Sequence, residues 1–104
     1  MIKREKRRYL ALKIESNQPL DEGAIMDAVH ASVKRLFGEY GASKANIRLI
    51  TGLPENRYLV VRCSHLMLEQ VRAAVASTVE INGTEAAVHV LAVSGTLKSL
   101  SKKV

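Results

Sequence analysis

Cysteine and histidine are the side chains here that could bind a metal ion, or act as nucleophile and general base. Cys63 and His65 lie two residues apart, whereas His30 and His89 are remote in sequence. A structural zinc site usually takes four well-spaced ligands. No paired carboxylates and no Ser-His-Asp order stand out beside them. We therefore expect a buried thiol, ordinary histidines, no metal site and no catalytic site on this chain.

A stronger chemical signal comes from the basic residues at the two ends. The net charge is +6 over 104 residues. Eight basic residues and one acid at the ends give +7, while Tyr9 to Leu97 holds eight basic and nine acidic residues, a balance of −1. We call residues 1–7 the arm and residues 97–104 the tail. Such segments suit a polyanion, because crowded cations repel each other unless counter-charge is supplied. The alternative is a pair of solvated, disordered ends that aid solubility.

The basic residues that we expect to contact a polyanion lie at both ends, in one loop and on one strand. They are Lys3, Arg4, Lys6, Arg7, Arg8, Lys44, Arg62, Lys98, Lys102 and Lys103. For Arg62, and for Arg57 on the same strand, an ion pair with Glu15 is an equally good interpretation. For Leu97, Leu100 and Val104 the alternatives are an amphipathic turn docked on a neighbour or simple fraying.

Length and composition indicate one domain over residues 1–104, without a membrane-spanning segment. The hydrophobic fraction is 47%, and no apolar run approaches the roughly 20 residues that would span a bilayer. The basic start is not followed by a signal peptide, since Lys13 and Glu15 interrupt the apolar stretch. A single cysteine cannot form an internal disulfide. We therefore expect a cytoplasmic protein that does not contact membranes.

Hydrophobic periodicity predicts strands and helices in alternation. Residues 8–15 alternate Leu10, Leu12 and Ile14 with more polar positions, which is typical of a half-buried strand. Residues 20–37 place Ile25, Val29, Val33 and Leu36 on one helical stripe. Strands are then predicted over 46–51, 57–63 and 86–93. A second helix, capped by Ser64, lies between the last two strands, with a turn at Asn82-Gly83.

This order predicts an α+β fold. The arrangement is a ferredoxin-like (RRM-like) βαββαβ sandwich, with a four-stranded antiparallel sheet and two helices on one face. The other face should then display Tyr9, Ala11 and Lys13 beside Tyr58, Val60 and Arg62. Aromatic residues make up only 4% of the chain, so this face is a poor platform for base stacking. Val60, Val88 and Val90 look suited to burial under another chain or the tail.

The segment between the first helix and the second strand carries two glycines, Gly38 and Gly41. We expect Gly38 to end the helix and Gly41 to turn the chain a second time. The loop would then display side chains that suit partner docking, phosphate binding or a tight corner. Our candidates for protein contact are Phe37, Tyr40 and Ser43 of this segment, with Val60 on the sheet.

Four blocks of sequence carry a resemblance. FGEYGASKANIRLI starts at Phe37, and RYLVVRC, LEQVRAAV and LAVSGTLKSL follow it in order. Over residues 8–98 this pattern resembles the archaeal and eukaryotic RNase P protein component 2 family. The GxxGASKA and VSGTLK segments are its most specific parts, and the short tail is similar to that of archaeal members.

This resemblance implies a non-catalytic subunit of the ribonucleoprotein that removes the 5′ leader of precursor tRNA. RNA does the chemistry in that family, using Mg²⁺ held by the RNA, and no cofactor is bound by the protein. The implied partners are RNase P RNA, protein component 3, other RNase P protein subunits and precursor tRNA as holoenzyme substrate. The polyanion that the ten basic residues named above would contact is then the RNA backbone. Self-association within a heterotetramer with component 3 is implied as well, and eukaryotic relatives also serve in RNase MRP.

Two other functions are compatible with the expected fold. A dimeric regulatory or small-molecule-binding module without RNA would predict neutral ends, which the sequence contradicts. An acylphosphatase-like enzyme would need an arginine in the loop after the first strand, and Ser16-Asn17-Gln18-Pro19 has none.

Overall fold

The structure, a computed structural model, describes residues 6–53 and 58–104. Lys3, Arg4 and Arg57 lie outside the described residues. The elements in chain order are β1 Arg7–Ser16, α1 Glu22–Ala45, β2 Arg48–Leu53, β3 Tyr58–Ser64, a 3₁₀ turn His65–Met67, α2 Leu68–Ser77, β4 Glu80–Ile81, β5 Thr84–Ser94 and α3 Leu97–Lys103. Within the described ranges, no helix is long and apolar enough to cross a membrane.

The sheet has five strands in the order β2-β3-β1-β5-β4, and every neighbouring pair is antiparallel. The prediction of four strands and two helices is therefore wrong in number, because β4 and α3 are additional. The turn at Asn82-Gly83 is confirmed, with φ of 53° and 78°, and it joins β4 to β5. A strand of two residues is too short for hydrophobic alternation to reveal.

The main core lies between one face of the sheet and the helices α1 and α2. Leu10 and Leu12 of β1 are fully buried there, together with Val29 of α1 and Val71 of α2. Each such side chain contributes about 1.5–3 kcal/mol. The predicted stripe of α1 ends one turn early, because Leu36 is 43% exposed.

The two helices are also joined by a buried chain of hydrogen bonds. The Ser32 hydroxyl lies 2.8 Å from Thr78 Oγ1, and the Thr78 hydroxyl donates to the Ala74 carbonyl at 2.9 Å. Because Thr78 already donates to Ala74, Ser32 is the donor in the first bond. This chain links the middle of α1 to the end of α2.

Local chemistry sets the limits of α1. Asp21 caps its start, where Oδ1 accepts from the Ala24 N–H at 2.6 Å. Gly38 interrupts the helix at φ 74° and ψ 178°, as expected, but the chain then resumes helical structure to Ala45. The prediction that Gly41 turns the chain again is wrong. Gly41 is buried within the helix, and a Cβ there would lie 2.7 Å from Phe37 Cβ. Asn46, at φ 48° and ψ 54°, ends α1 instead.

The opposite face of the sheet, here called the open face, carries a second, smaller core. Ala11 and Val60 are buried there under Leu100 of α3, which is 2% exposed. The tail is thus a helix docked on its own sheet. Val88 and Val90 do not lie on this face, contrary to expectation, since both pack in the main core.

Candidate nucleic-acid interface on the open face

A row of side chains crosses three strands of the open face near the start of β1. Tyr9 lies opposite Arg62 of β3, and Arg62 lies opposite Arg48 of β2. On the other side, Tyr9 lies opposite Ser94 of β5. Directly opposed residues in an antiparallel pair share a face and have Cβ atoms about 4.5–5.5 Å apart. The expected grouping of Tyr9, Ala11 and Lys13 with Tyr58, Val60 and Arg62 is confirmed by the same register.

Arg48 and Arg62 lie directly opposite each other on β2 and β3. In the described residues, neither side chain forms an ion pair or a hydrogen bond. Glu15, which might have paired with Arg62, lies 3.6 Å from Lys13 and 3.5 Å from His89 instead. The alternative of an Arg62–Glu15 ion pair is therefore wrong, and Arg62 keeps its charge available for an external anion.

The tail adds further basic residues to this face. Thr96 caps α3 by accepting from the Ser99 N–H at 3.1 Å. Lys103 Nζ donates to the Val93 carbonyl at 2.7 Å. Lys98 and Lys102 are exposed. Because Leu100 holds α3 against Ala11 and Val60, the tail lysines remain on the same side of the molecule as Arg62.

The end of the arm is fixed by His65, which sequence analysis had set aside as an ordinary histidine. The Lys6 carbonyl accepts from the His65 N–H at 3.0 Å, and His65 Nδ1 lies 2.9 Å from the same oxygen. A carbonyl can only accept, so Nδ1 carries the proton in this contact. Lys6 and Arg7 are exposed here, while Arg8 is half-buried and donates to the Arg7 carbonyl at 3.1 Å.

Lys44 stands apart from the other expected RNA contacts. It lies in the last turn of α1, which packs on the other face of the sheet, and its Nζ is 5.8 Å from the centre of the Tyr40 ring. A cation in the last turn of a helix is favoured by the helix dipole. The structure therefore gives Lys44 a local role and does not group it with Arg62.

The residues expected to contact protein divide into two groups. Tyr40 is 79% exposed and Phe37 is 36% exposed, and Ser43 is exposed on the same helical segment. Val60 is only 5% exposed, because Leu100 packs on it. In the structure, Val60 contacts the chain's own tail, which was one of the two alternatives expected for its burial.

Cys63 is a free, buried thiol. The side chain is 1% exposed, and this burial raises the pKa of the Cys63 thiol to about 11, although the Arg8 guanidinium acts in the opposite direction. A thiol with such a pKa is protonated and unreactive at neutral pH. Among residues 6–53 and 58–104, no three His, Cys, Asp or Glu side chains are placed to hold a metal ion.

Arg48 is the main residue of this interface that sequence analysis missed. Its place in the strand predicted over 46–51 was visible, but its position opposite Arg62 depends on the register between β2 and β3, which shifts at a bulge between Leu49 and Thr51. The missed role of His65 had one visible signal, its position directly after Ser64 at the end of a strand.

Together, the fold and this face define a small α+β protein with a cationic surface suited to a polyanion. The family model for the Rpp14/Pop5 family matches residues 8–104, so the chain belongs to the Rpp14/Pop5 family. It is similar to "Ribonuclease P protein component 2" of Methanosarcina mazei, with 39% identity over 96% of this chain and 84% of the relative. The protein of the same name from Pyrococcus furiosus is 33% identical over 96% of this chain and 83% of the relative.

A solved structure gives an independent comparison of the fold. A chain in the cryo-EM structure of yeast ribonuclease MRP is similar, with a TM-score of 0.73 and 14% sequence identity. The match covers 93% of this chain and 79% of that one. At this level of identity the likeness concerns the fold, and it extends over nearly the whole chain.

Proposed function

We propose that this chain is a non-catalytic protein subunit of ribonuclease P. It binds and stabilises the catalytic RNA that removes the 5′ leader from precursor tRNA. The observation that carries this proposal is the 39% identity to a ribonuclease P protein component 2 across 96% of the chain. The basic open face and tail supply a surface that such a role needs.

The mechanism that the described residues support is neutralisation of the negatively charged RNA backbone. RNA carries closely spaced phosphates, and a folded ribozyme brings them closer together. Basic side chains held on a rigid sheet replace bound counterions at those phosphates. Contacts of this kind position a protein by RNA shape and carry little sequence information. Mg²⁺ held by the RNA would activate the attacking water in the holoenzyme.

The wider assembly follows from the same proposal. The partners are RNase P RNA, protein component 3 and the other protein subunits, with precursor tRNA as the substrate of the complete particle in the cytoplasm. Two copies of this chain would meet within a heterotetramer with component 3. Phe37 and Tyr40 support a protein contact on the helical side, since both are large and exposed.

The finer fold assignment is also part of the proposal. We infer a ferredoxin-like sandwich extended by β4 and α3. The strand order β2-β3-β1-β5 and the two helices on one face support this assignment.

Reconstitution of precursor-tRNA cleavage tests the function. The RNA and the other protein subunits are assayed with and without this chain over a range of Mg²⁺ concentrations. We expect this chain to lower the Mg²⁺ concentration needed for half-maximal cleavage, because it shields phosphates that the metal would otherwise neutralise. The chain alone should not cleave the substrate.

Two results would contradict the proposal. One is an unchanged Mg²⁺ requirement when a correctly folded chain is added. The other is cleavage of precursor tRNA by the purified chain without RNA, which would make the protein itself the catalyst.

A further inference from the structure

The opposed arginines of the open face are an unusual feature of this sheet. Arg48 and Arg62 occupy directly opposite positions on neighbouring strands, where like charges destabilise the pairing. In the described parts of the chain no carboxylate lies within ion-pair distance of either guanidinium. The arrangement is costly to the free protein, and an external anion would remove that cost.

Two guanidinium groups at this spacing match the chemistry of a phosphate. Each guanidinium presents several N–H donors in a planar fork, and phosphate oxygens accept such bonds in pairs. The register of β2 and β3 fixes the backbone positions from which both side chains extend. Arg48 is exposed and Arg62 is half-buried, and both remain open to solvent.

Other residues of the face favour RNA over an acidic protein segment. Tyr9 lies in the same row as the arginines, and an aromatic ring beside a cation suits a base attached to the bound phosphate. Arg7 lies two residues before Tyr9 and is exposed on the same face. The acidic residue Glu15 lies at the other end of β1, where it forms an ion pair with Lys13 at 3.6 Å.

We propose that Arg48 and Arg62 form a phosphate-binding site for RNA backbone, with Tyr9 beside it to receive a base. This inference rests on the proposed function, since it names the place on the open face where RNA is held. It assigns to Arg48 a role that the sequence had not suggested.

The experiment measures binding of the full chain to RNase P RNA across a range of KCl concentrations. The test variant is Arg48→Gln with Arg62→Gln. The matched control is Arg35→Gln with Arg72→Gln, which removes the same two charges from exposed positions on α1 and α2. If the site binds one or two phosphates, the test variant should flatten the log-log salt slope by about 0.7–1.8, whereas the control leaves it unchanged.

Thermal unfolding separates a binding role from a structural one. Removal of the opposed charges should raise the unfolding temperature of the test variant at low salt by about 1–4 °C, because it relieves repulsion across the strands. A lower unfolding temperature would mean that the arginines support the sheet, and it would overturn the proposal. A salt slope equal to that of wild type, or equal losses in test and control variants, would overturn it too.

A polyglutamate peptide of matched charge serves as the acidic protein probe. The proposal requires that wild type prefer the RNA, and that the test variant lose RNA affinity. Loss of peptide affinity with RNA affinity retained would overturn it in favour of a protein partner. If instead wild type neither binds RNase P RNA nor lowers the Mg²⁺ requirement, the proposed function fails. If wild type binds RNase P RNA but the test variant has the same salt slope as wild type, the phosphate site is overturned while the proposed function stands.

Discussion

Single residues in this chain owe their properties mainly to where the fold places them. Cys63 and His65 are two residues apart, yet one is a buried thiol and the other binds the Lys6 carbonyl. In the sequence, this spacing could supply two ligands of a metal site. In the fold, the two side chains have different surroundings, and each has a separate structural role.

The raised pKa of Cys63 predicts a loss of stability in alkali. The folded thiol has a pKa of about 11 against an ordinary value of 9.0, so the unfolded chain loses this proton first. Stability from this group is therefore complete below pH 9 and falls between pH 9 and about 11. The total is on the order of 2 kcal/mol. Denaturant unfolding at a series of pH values measures it.

Cys63→Ala is the control for that titration, since lysines and tyrosines ionise over the same range. The variant loses packing at every pH, but its stability should fall less steeply above pH 9, the ordinary thiol value. Parallel curves for the two proteins would show that the thiol does not contribute.

Among the secondary-structure elements, α1 depends most on one backbone conformation. Gly38 sits at φ 74° and ψ 178°, a region open to glycine alone. It differs from the left-handed conformation of Asn46, which asparagine tolerates. The interruption at Gly38 sets the direction of the segment that presents Tyr40.

Substitution of Gly38 should therefore destabilise the fold by about 1–3 kcal/mol, although a Cβ there would meet no other atom within 4 Å. Gly38→Asn should be no better tolerated than Gly38→Ala, because ψ lies outside the left-handed region. Chemical denaturation of both variants provides the measurement. A Gly38→Asn variant as stable as wild type would contradict this explanation.

Sequence periodicity predicted the positions of the strands and helices better than it predicted which side of the sheet each side chain occupies. Leu10, Leu12 and Ile14 identified the buried side of β1, because that strand alternates without interruption. Straight alternation along β5 would put Val88 and Val90 on the same face as Ala92. The register shift opposite Ala11 and Leu12 reverses the facing of β5, and this sends both valines into the main core. Hydrophobicity alone gives no signal for such a bulge.

At the scale of the whole molecule, α1 and α2 cover one face of the sheet, and α3 covers the part of the open face around Ala11 and Val60. The sequence indicated the first cover through a long apolar stripe. The sequence did not decide whether the tail forms a helix. A segment of seven residues, with Leu97 and Leu100 three apart, is too short to distinguish a helix from a frayed end. The basic open face was predictable from Arg62 and Tyr9, whereas the contribution of Arg48 required the strand register.

Docking of α3 should depend on one side chain. Leu100→Ala removes most of the contact with Ala11 and Val60 and should cost about 2–4 kcal/mol. Leu97→Ala is the matched control on the same helix, and its 44% exposed side chain should change stability by less than about 0.5 kcal/mol. Urea unfolding compares the two, and equal losses would contradict the docking described here.

The position of α3 has a practical consequence for anyone who attaches an affinity tag. A tag after Val104 begins five residues beyond Leu100, the side chain that holds α3 on the sheet, and it adds bulk beside Lys102 and Lys103. A tag before Met1 does not disturb the packing of α3 on the sheet, but it adjoins the basic residues that precede Lys6 in the sequence. Each fusion thus adjoins a different group of basic residues in the sequence, so an RNA affinity that agrees between the two fusions is not an effect of the tag.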